Sequence, residues 1–139
     1  MVSHSIFAND AMSNLMQTAF SVVNQYGVHL FQNNYSPVYN SVLANFVDAS
    51  FPGYHIRSIA IWIVTPLAVG VQIQAQNPVV FTQSASAPLQ LVYGFYIKDN
   101  VSNKLLMAYR DPNGPYPFEN AGDNLSIQPT FTCLSQYLA

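Results

Sequence analysis

The chain has 139 residues, room for one domain with a real hydrophobic core. Half of it is hydrophobic, but only 7% is charged, against roughly a quarter in an average globular domain. With four Lys and Arg and a net charge of -2, it has no basic stripe, which excludes a nucleic-acid partner held by phosphate contacts.

The polar surface must then consist mostly of Asn, Gln, Ser and Thr, which cost less to desolvate than charges. Protein interfaces are depleted in Lys and Glu and enriched in aromatics, and this chain carries nine Tyr and nine Phe. The expectation is a protein whose surface is largely covered by partners, as a homo-oligomer or within an assembly. A lone cysteine, Cys133, excludes an internal disulfide framework and a multi-cysteine zinc site. No run of about 18 apolar residues predicts a membrane span. The N-terminus shows no basic segment leading into a leucine-rich stretch, so no signal peptide is expected. Three Asn-x-Ser triplets, at Asn34, Asn100 and Asn124, read as chance in an Asn- and Ser-rich chain.

Met12, Leu15, Met16, Ala19, Phe20 and Val23 follow the i, i+3, i+4 spacing of one apolar helix face. Asn9 or Asp10 is the expected cap and Gly27 the expected end. The face packs on its own domain or docks on a neighbouring subunit, which makes Met12, Leu15, Met16 and Phe20 interface candidates. After Gly27 the period drops to 2. Val28–Phe31 is a short strand, Asn33–Asn40 a turn-rich connection, and Ser41–Asp48 either a strand or a helical turn. His55–Val64 reads as a strand with apolar residues on both faces, hence central.

Thr65-Pro66 begins the next turn. Val71, Ile73 and Ala75 alternate with Gln72, Gln74 and Gln76, a strand with one wet face. Asn77-Pro78 breaks it, Val79–Thr82 resumes, and Ser84–Pro88 is a loop. Leu89–Lys98 is predicted as the longest strand, with Gly94 marking a bulge or a close neighbour. Asp99-Asn100 turns back into Lys104–Arg110. Asp111–Asp123 is a long Pro-, Gly- and Asn-rich loop that presents Tyr116 and Phe118 as further interface candidates. Leu125–Thr132 alternates again, and Pro129 sends it to a sheet edge or a bulge. The sum is mainly β: a single antiparallel β-sandwich, Ig-like or jelly-roll, over 27–139, preceded by an arm and amphipathic helix over 1–26.

The chemistry of catalysis is thin. Asp99, Asp111 and Asp123 sit where Asx side chains cap turns, and Arg110-Asp111 reads as a local ion pair. His4, His29 and His55 are more than twenty residues apart in sequence, without metal-ligand spacing. No G-x-S-x-G turn and no phosphate-cradling glycine loop is present. The expectation is a non-enzymatic protein with no catalytic residue, cofactor or metal.

Several segments carry a resemblance. Tyr93-Gly94-Phe95-Tyr96-Ile97-Lys98-Asp99, Leu105-Leu106-Met107-Ala108-Tyr109-Arg110 and Gly122-Asp123-Asn124-Leu125-Ser126-Ile127-Gln128-Pro129-Thr130-Phe131 stand in the C-terminal half. Leu30-Phe31-Gln32-Asn33-Asn34 and Ala49-Ser50-Phe51-Pro52-Gly53-Tyr54 stand in the front half. Together they resemble a family of small structural proteins of tailed-phage virions, with patterns Y-G-Y/F-x-V-x-D, L-x-x-A-E-R-F, G-D-x-L-x-V-x-P-x-F, L-F-x-N-N and A-x-F-x-G-Y. The likeness covers most of the chain from Leu30 onward. Where the family has Glu-Arg-Phe, this chain has Tyr109-Arg110-Asp111. The resemblance implies a virion component that decorates or cements the capsid, with the major capsid protein or other virion proteins as partners. The alternative is a tail, baseplate or fibre component, including a receptor- or glycan-binding module. It implies no catalytic residue.

Overall fold

The computed structural model describes residues 8–134, which are mainly β with one N-terminal helix. In chain order the elements are α1 (Asn9–Ala19), β1 (Tyr26–Phe31), a 3-10 turn (Leu43–Asn45), β2 (Arg57–Ser58), β3 (Trp62–Leu67), β4 (Gly70–Ala75), β5 (Val79–Thr82), β6 (Gln90–Val92), β7 (Gly94–Asp99), β8 (Lys104–Arg110), β9 (Tyr116–Phe118), β10 (Asn124–Ile127) and β11 (Thr130–Leu134). Every strand pairing among the described residues is antiparallel, and no sheet closes into a barrel. The contacts divide into two compact units.

The first unit takes its described residues from 8–23, 60–78 and 128–134. Its sheet runs β11-β4-β3, and α1 packs on β3 and β4, the first of the two placements its apolar face allows. The alternation read over Val71–Ala75 is observed: Val71, Ile73 and Ala75 are buried, while Gln72 and Gln74 are half-buried. Phe20 meets Trp62 and Phe131 edge-on at ring distances of 5.2 and 5.6 Å.

The helix boundaries differ from expectation. Ala8 is the N-cap, and no side chain caps it. The Asn9 amide instead donates to the Leu67 and Ala68 carbonyls, each at 2.9 Å, tying the helix start to the β3–β4 turn. The helix ends at Phe20, whose ring turns into the aromatic cluster, and Gly27 lies inside β1.

The expected strand over His55–Val64 breaks, because Ile59 and Ile61 bond different partners. Ile59 N–H donates to Tyr26 O, whereas Ile61 O accepts from Gln76 N–H. β2 joins β1, and β3 is an edge strand, not a central one. Pro66 lies in β3 rather than in a turn. The Gln76–Ile61 bond sets the alternation by which Ile63, Thr65 and Leu67 face β4, so the N–H that Pro66 lacks falls on the outer side.

The second unit comprises 24–59 and 79–127. Its main sheet runs β2-β1-β7-β8, with smaller pairs β10-β5 and β6-β9. All six residues of β1 are buried. One core cluster joins Phe31, Phe46 and Tyr96, packed by Tyr35, Leu43, Tyr93, Leu105 and Ala108. Ser41–Asp48 resolves into the 3-10 turn, which Asn45 stabilises by accepting Val42 N–H on Oδ1 at 2.8 Å.

The predicted strand over Leu89–Lys98 changes partners at Tyr93. β6 pairs with β9, and β7 pairs with β1 and β8. Gly94 has the close neighbour expected of it: a Cβ there would lie 2.0 Å from Tyr109 O, against backbone that cannot yield. The long loop after Arg110 is interrupted by β9. Buried Pro129 separates β10 from β11, both of them edges, as its position predicted.

Candidate functional site

The most concentrated polar chemistry lies on β1 and β7. His29 Nδ1 is 2.9 Å from Asp48 Oδ2, and the Tyr96 hydroxyl donates to Asp48 Oδ1. The His29 and Tyr96 rings stack at 4.6 Å. Burial alone would raise the Asp48 carboxyl. Hydrogen bonds from His29 and Tyr96 and the charges of His29 and Lys98 outweigh it, and the net shift is below the ordinary value. Burial, and then the bond to Asp48, pushes the Tyr96 phenol up. An ionised carboxylate only accepts, so the Nδ1 of His29 carries the proton.

This trio has the composition of an acid–base couple, with Asp48 half-buried and His29 buried. His29 is 5% exposed, and its Nε2 is buried without a hydrogen-bond partner. Asp48 bridges to Phe31, and its carbonyl accepts from Gln32 Nε2 at 2.7 Å. The couple fastens the segment around Asp48 onto the sheet.

The segment that leads there, 35–47, displays apolar groups. Tyr39 is fully exposed, and Val38 and Val42 are more than half exposed. The backbone beneath them is held: Ser41 Oγ accepts Val38 N–H at 2.8 Å and bonds the Tyr35 hydroxyl at 2.7 Å, while Asn33 Oδ1 accepts Val47 N–H at 2.9 Å. Alongside runs edge strand β8, with a groove of about 380 Å³ between Pro37–Ser41 and Leu105–Ala108. The register shift between Ile97 and Lys98 leaves Leu106 as the additional residue of β8, and its side chain is exposed. A tyrosine on a fixed backbone costs little entropy to bury, which suits an interface anchor. The sequence reading passed over Tyr39. The available signal was an aromatic and two valines inside a Pro- and Asn-rich connection.

The sequence-predicted interface residues are divided. Met12 and Phe20 are core of the first unit, Met16 is half-buried, and Leu15 is 55% exposed. In the same unit a groove of about 390 Å³ runs between Phe20–Val23 and β3, flanked by exposed Val22, Ile61 and Ile63. Tyr116 is half-buried in a cleft of the second unit. Phe118 is 1% exposed and stacks on Phe51 at 4.2 Å, so it is not presented to a partner; β9 pairing turns it inward.

The turn carboxylates behave as turn chemistry requires. Asp99 Oδ1 accepts Val101 N–H, Asp111 Oδ1 accepts Asn113 N–H, and Asp123 Oδ2 accepts Glu119 and Asn120 N–H. Arg110 and Asp111 do not pair with each other: the guanidinium lies 5.1 Å over the Tyr93 ring, and Asp111 accepts from the Tyr116 hydroxyl. Cys133 is half-buried, and burial pushes its thiol up. Among the described residues, no three His, Cys, Asp or Glu gather to hold a metal. No described helix is long and apolar enough to cross a membrane.

No protein-family model matches this sequence, and none of the curated proteins or solved structures compared with it does.

Proposed function

We propose that the chain is a non-enzymatic structural component of a tailed-phage virion. In this reading it is a β-sandwich of Ig-like or jelly-roll type that assembles as a homo-oligomer. It binds the outer surface of the capsid and cements neighbouring subunits of the major capsid protein. The observation that carries this is the surface around Tyr39: an exposed tyrosine between two exposed valines, on a hydrogen-bonded loop beside an uncharged stretch of edge strand. The low charge of the whole chain supports it, since four Lys and Arg cannot supply the adhesion.

The test adds purified protein to capsids that lack it and counts bound copies across a salt series. Apolar contact is insensitive to salt, whereas charge-driven contact is screened over about 8 Å at physiological ionic strength. The expected result is saturable binding with weak salt dependence and a higher melting temperature of the particle. Tyr39→Ala should weaken binding by about 2 kcal/mol, as truncation of an anchor does, while leaving folding stability within about 0.5 kcal/mol. Binding that collapses at moderate salt, or that ignores Tyr39→Ala, overturns the reading.

The second reading is a tail, baseplate or fibre component. The open cleft beside Tyr109 and Tyr116 favours it. Copy number in purified particles separates the two, because a cement protein rivals the major capsid protein in abundance and a tail component does not.

A further inference from the structure

The second unit carries a cleft of about 200 Å³ that the docking role above does not use. Phe95, Leu125 and Ile127 supply its apolar lining. Tyr109, 46% exposed, offers a ring face, and lies 5.8 Å from Phe95 at a tilt of 49°. Tyr116 and Asp111 bring side-chain oxygen atoms to the same cleft.

Those oxygens are set for a ligand rich in hydroxyls. Tyr116 spends its proton on Asp111 Oδ2, so its phenol oxygen is left to accept. Asp111 Oδ1 takes one backbone N–H, from Asn113 at 2.9 Å, and each carboxylate oxygen keeps a further lone pair. No Lys or Arg lines the cleft; neighbouring Arg110 is engaged by Tyr93 and, at 3.3 Å, by Ser36 Oγ. An anion would meet an unneutralised carboxylate. An alkylammonium would be enclosed by aromatic faces on several sides in a proper cage, but Phe95 and Tyr109 pack against each other instead.

We propose that this cleft is a subsite for a neutral pyranose ring of a glycan. One apolar face of the sugar lies on Tyr109, and its hydroxyls donate to Asp111 and to the Tyr116 oxygen. The volume admits one ring, in keeping with sites that combine an apolar wall and a few convergent polar groups. The inference does not depend on the capsid-docking role; it deepens the second reading by naming a ligand class for the cleft that favours it, and particle copy number tests that reading separately.

The experiment is an NMR titration of the full chain with methyl glucopyranoside, N-acetylglucosamine, glucuronate and choline. A neutral sugar is expected to bind saturably with a Kd of about 1 mM, titrated to about 50 mM, with shifts confined to Tyr109, Asp111, Tyr116, Ser126 and their neighbours. Glucuronate should bind at least about tenfold more weakly, because of the Asp111 charge. Tyr109→Ala should weaken the neutral sugar about tenfold, and Tyr109→Phe, which keeps the ring face, should bind within about threefold of the parent. Matching amide spectra of both variants and the parent show that the fold is retained. No saturation by either neutral sugar, equal binding of glucuronate, tighter binding of choline, or a sugar affinity untouched by Tyr109→Ala would each overturn the proposal.

Discussion

Asp48→Asn tests the trio of His29, Asp48 and Tyr96 with almost no change of shape. The amide oxygen still accepts the Tyr96 hydroxyl from the position of Oδ1. Its NH₂ group then faces His29 Nδ1, which is 2.9 Å from Oδ2 in the parent. Two donors cannot share that contact. His29 must move its proton to Nε2, which is buried and has no partner to receive it. A buried unsatisfied donor costs about 1–3 kcal/mol, and the charge-assisted character of the original bond is lost as well. The expected destabilisation at neutral pH is about 2 kcal/mol. For 139 residues the unfolding entropy is about 0.3 kcal/mol/K, so Tm falls by about 7 °C.

The pH dependence follows from the depressed carboxyl. A group whose folded value lies below its unfolded value contributes stability in full above the unfolded value, about 3.9. That contribution fades as pH falls through the folded one. Parent and variant should therefore differ at neutral pH and converge as pH drops below about 4. Denaturant unfolding at stepped pH measures both. A difference under about 0.5 kcal/mol at neutral pH, or one that stays constant down to acid pH, refutes the assignment.

Gly94→Ala should cost more than about 3 kcal/mol, because its Cβ would stand 2.0 Å from Tyr109 O in the paired β7 and β8; wild-type-like melting contradicts the register. Phe118→Ala should cost about 3–5 kcal/mol, since the ring is buried against Phe51; a small loss by calorimetry would place that ring at the surface. Met12→Asp should cost several kcal/mol, about 3 or more, through an unpaired buried charge. Leu15→Asp, on the exposed side of the same helix, should stay within about 0.5 kcal/mol in the same denaturation assay.

Local pattern made much of the secondary structure legible. The period-2 run of Val71–Ala75 and the 3.6 period around Met12 each depend only on near neighbours, and both elements form. Turn chemistry at Asp99, Asp111 and Asp123 was equally legible, because an Asx side chain reaches backbone two to four residues away in the chain. The constraint at Gly94 could be read because a glycine inside a strand of bulky residues has few other reasons to be there.

Pairing decided the rest, and pairing is not local. Nothing in Leu89–Lys98 says that the chain leaves β9 and joins β1 at Tyr93; that depends on where Phe31 and Asp111 offer their backbone groups. The same holds for His55–Val64, whose apolar residues on both faces suggested a central strand yet end on an open edge. Phe118, expected at the surface from its place in a long loop, is buried, and Tyr39, to which local pattern gave no role, is displayed. His29 and Asp48 lie nineteen residues apart and meet only because Asp48 bridges to Phe31. A residue's type limits which contacts it can make; the strand register, set by the whole chain's hydrogen bonding, determines which of them it does make.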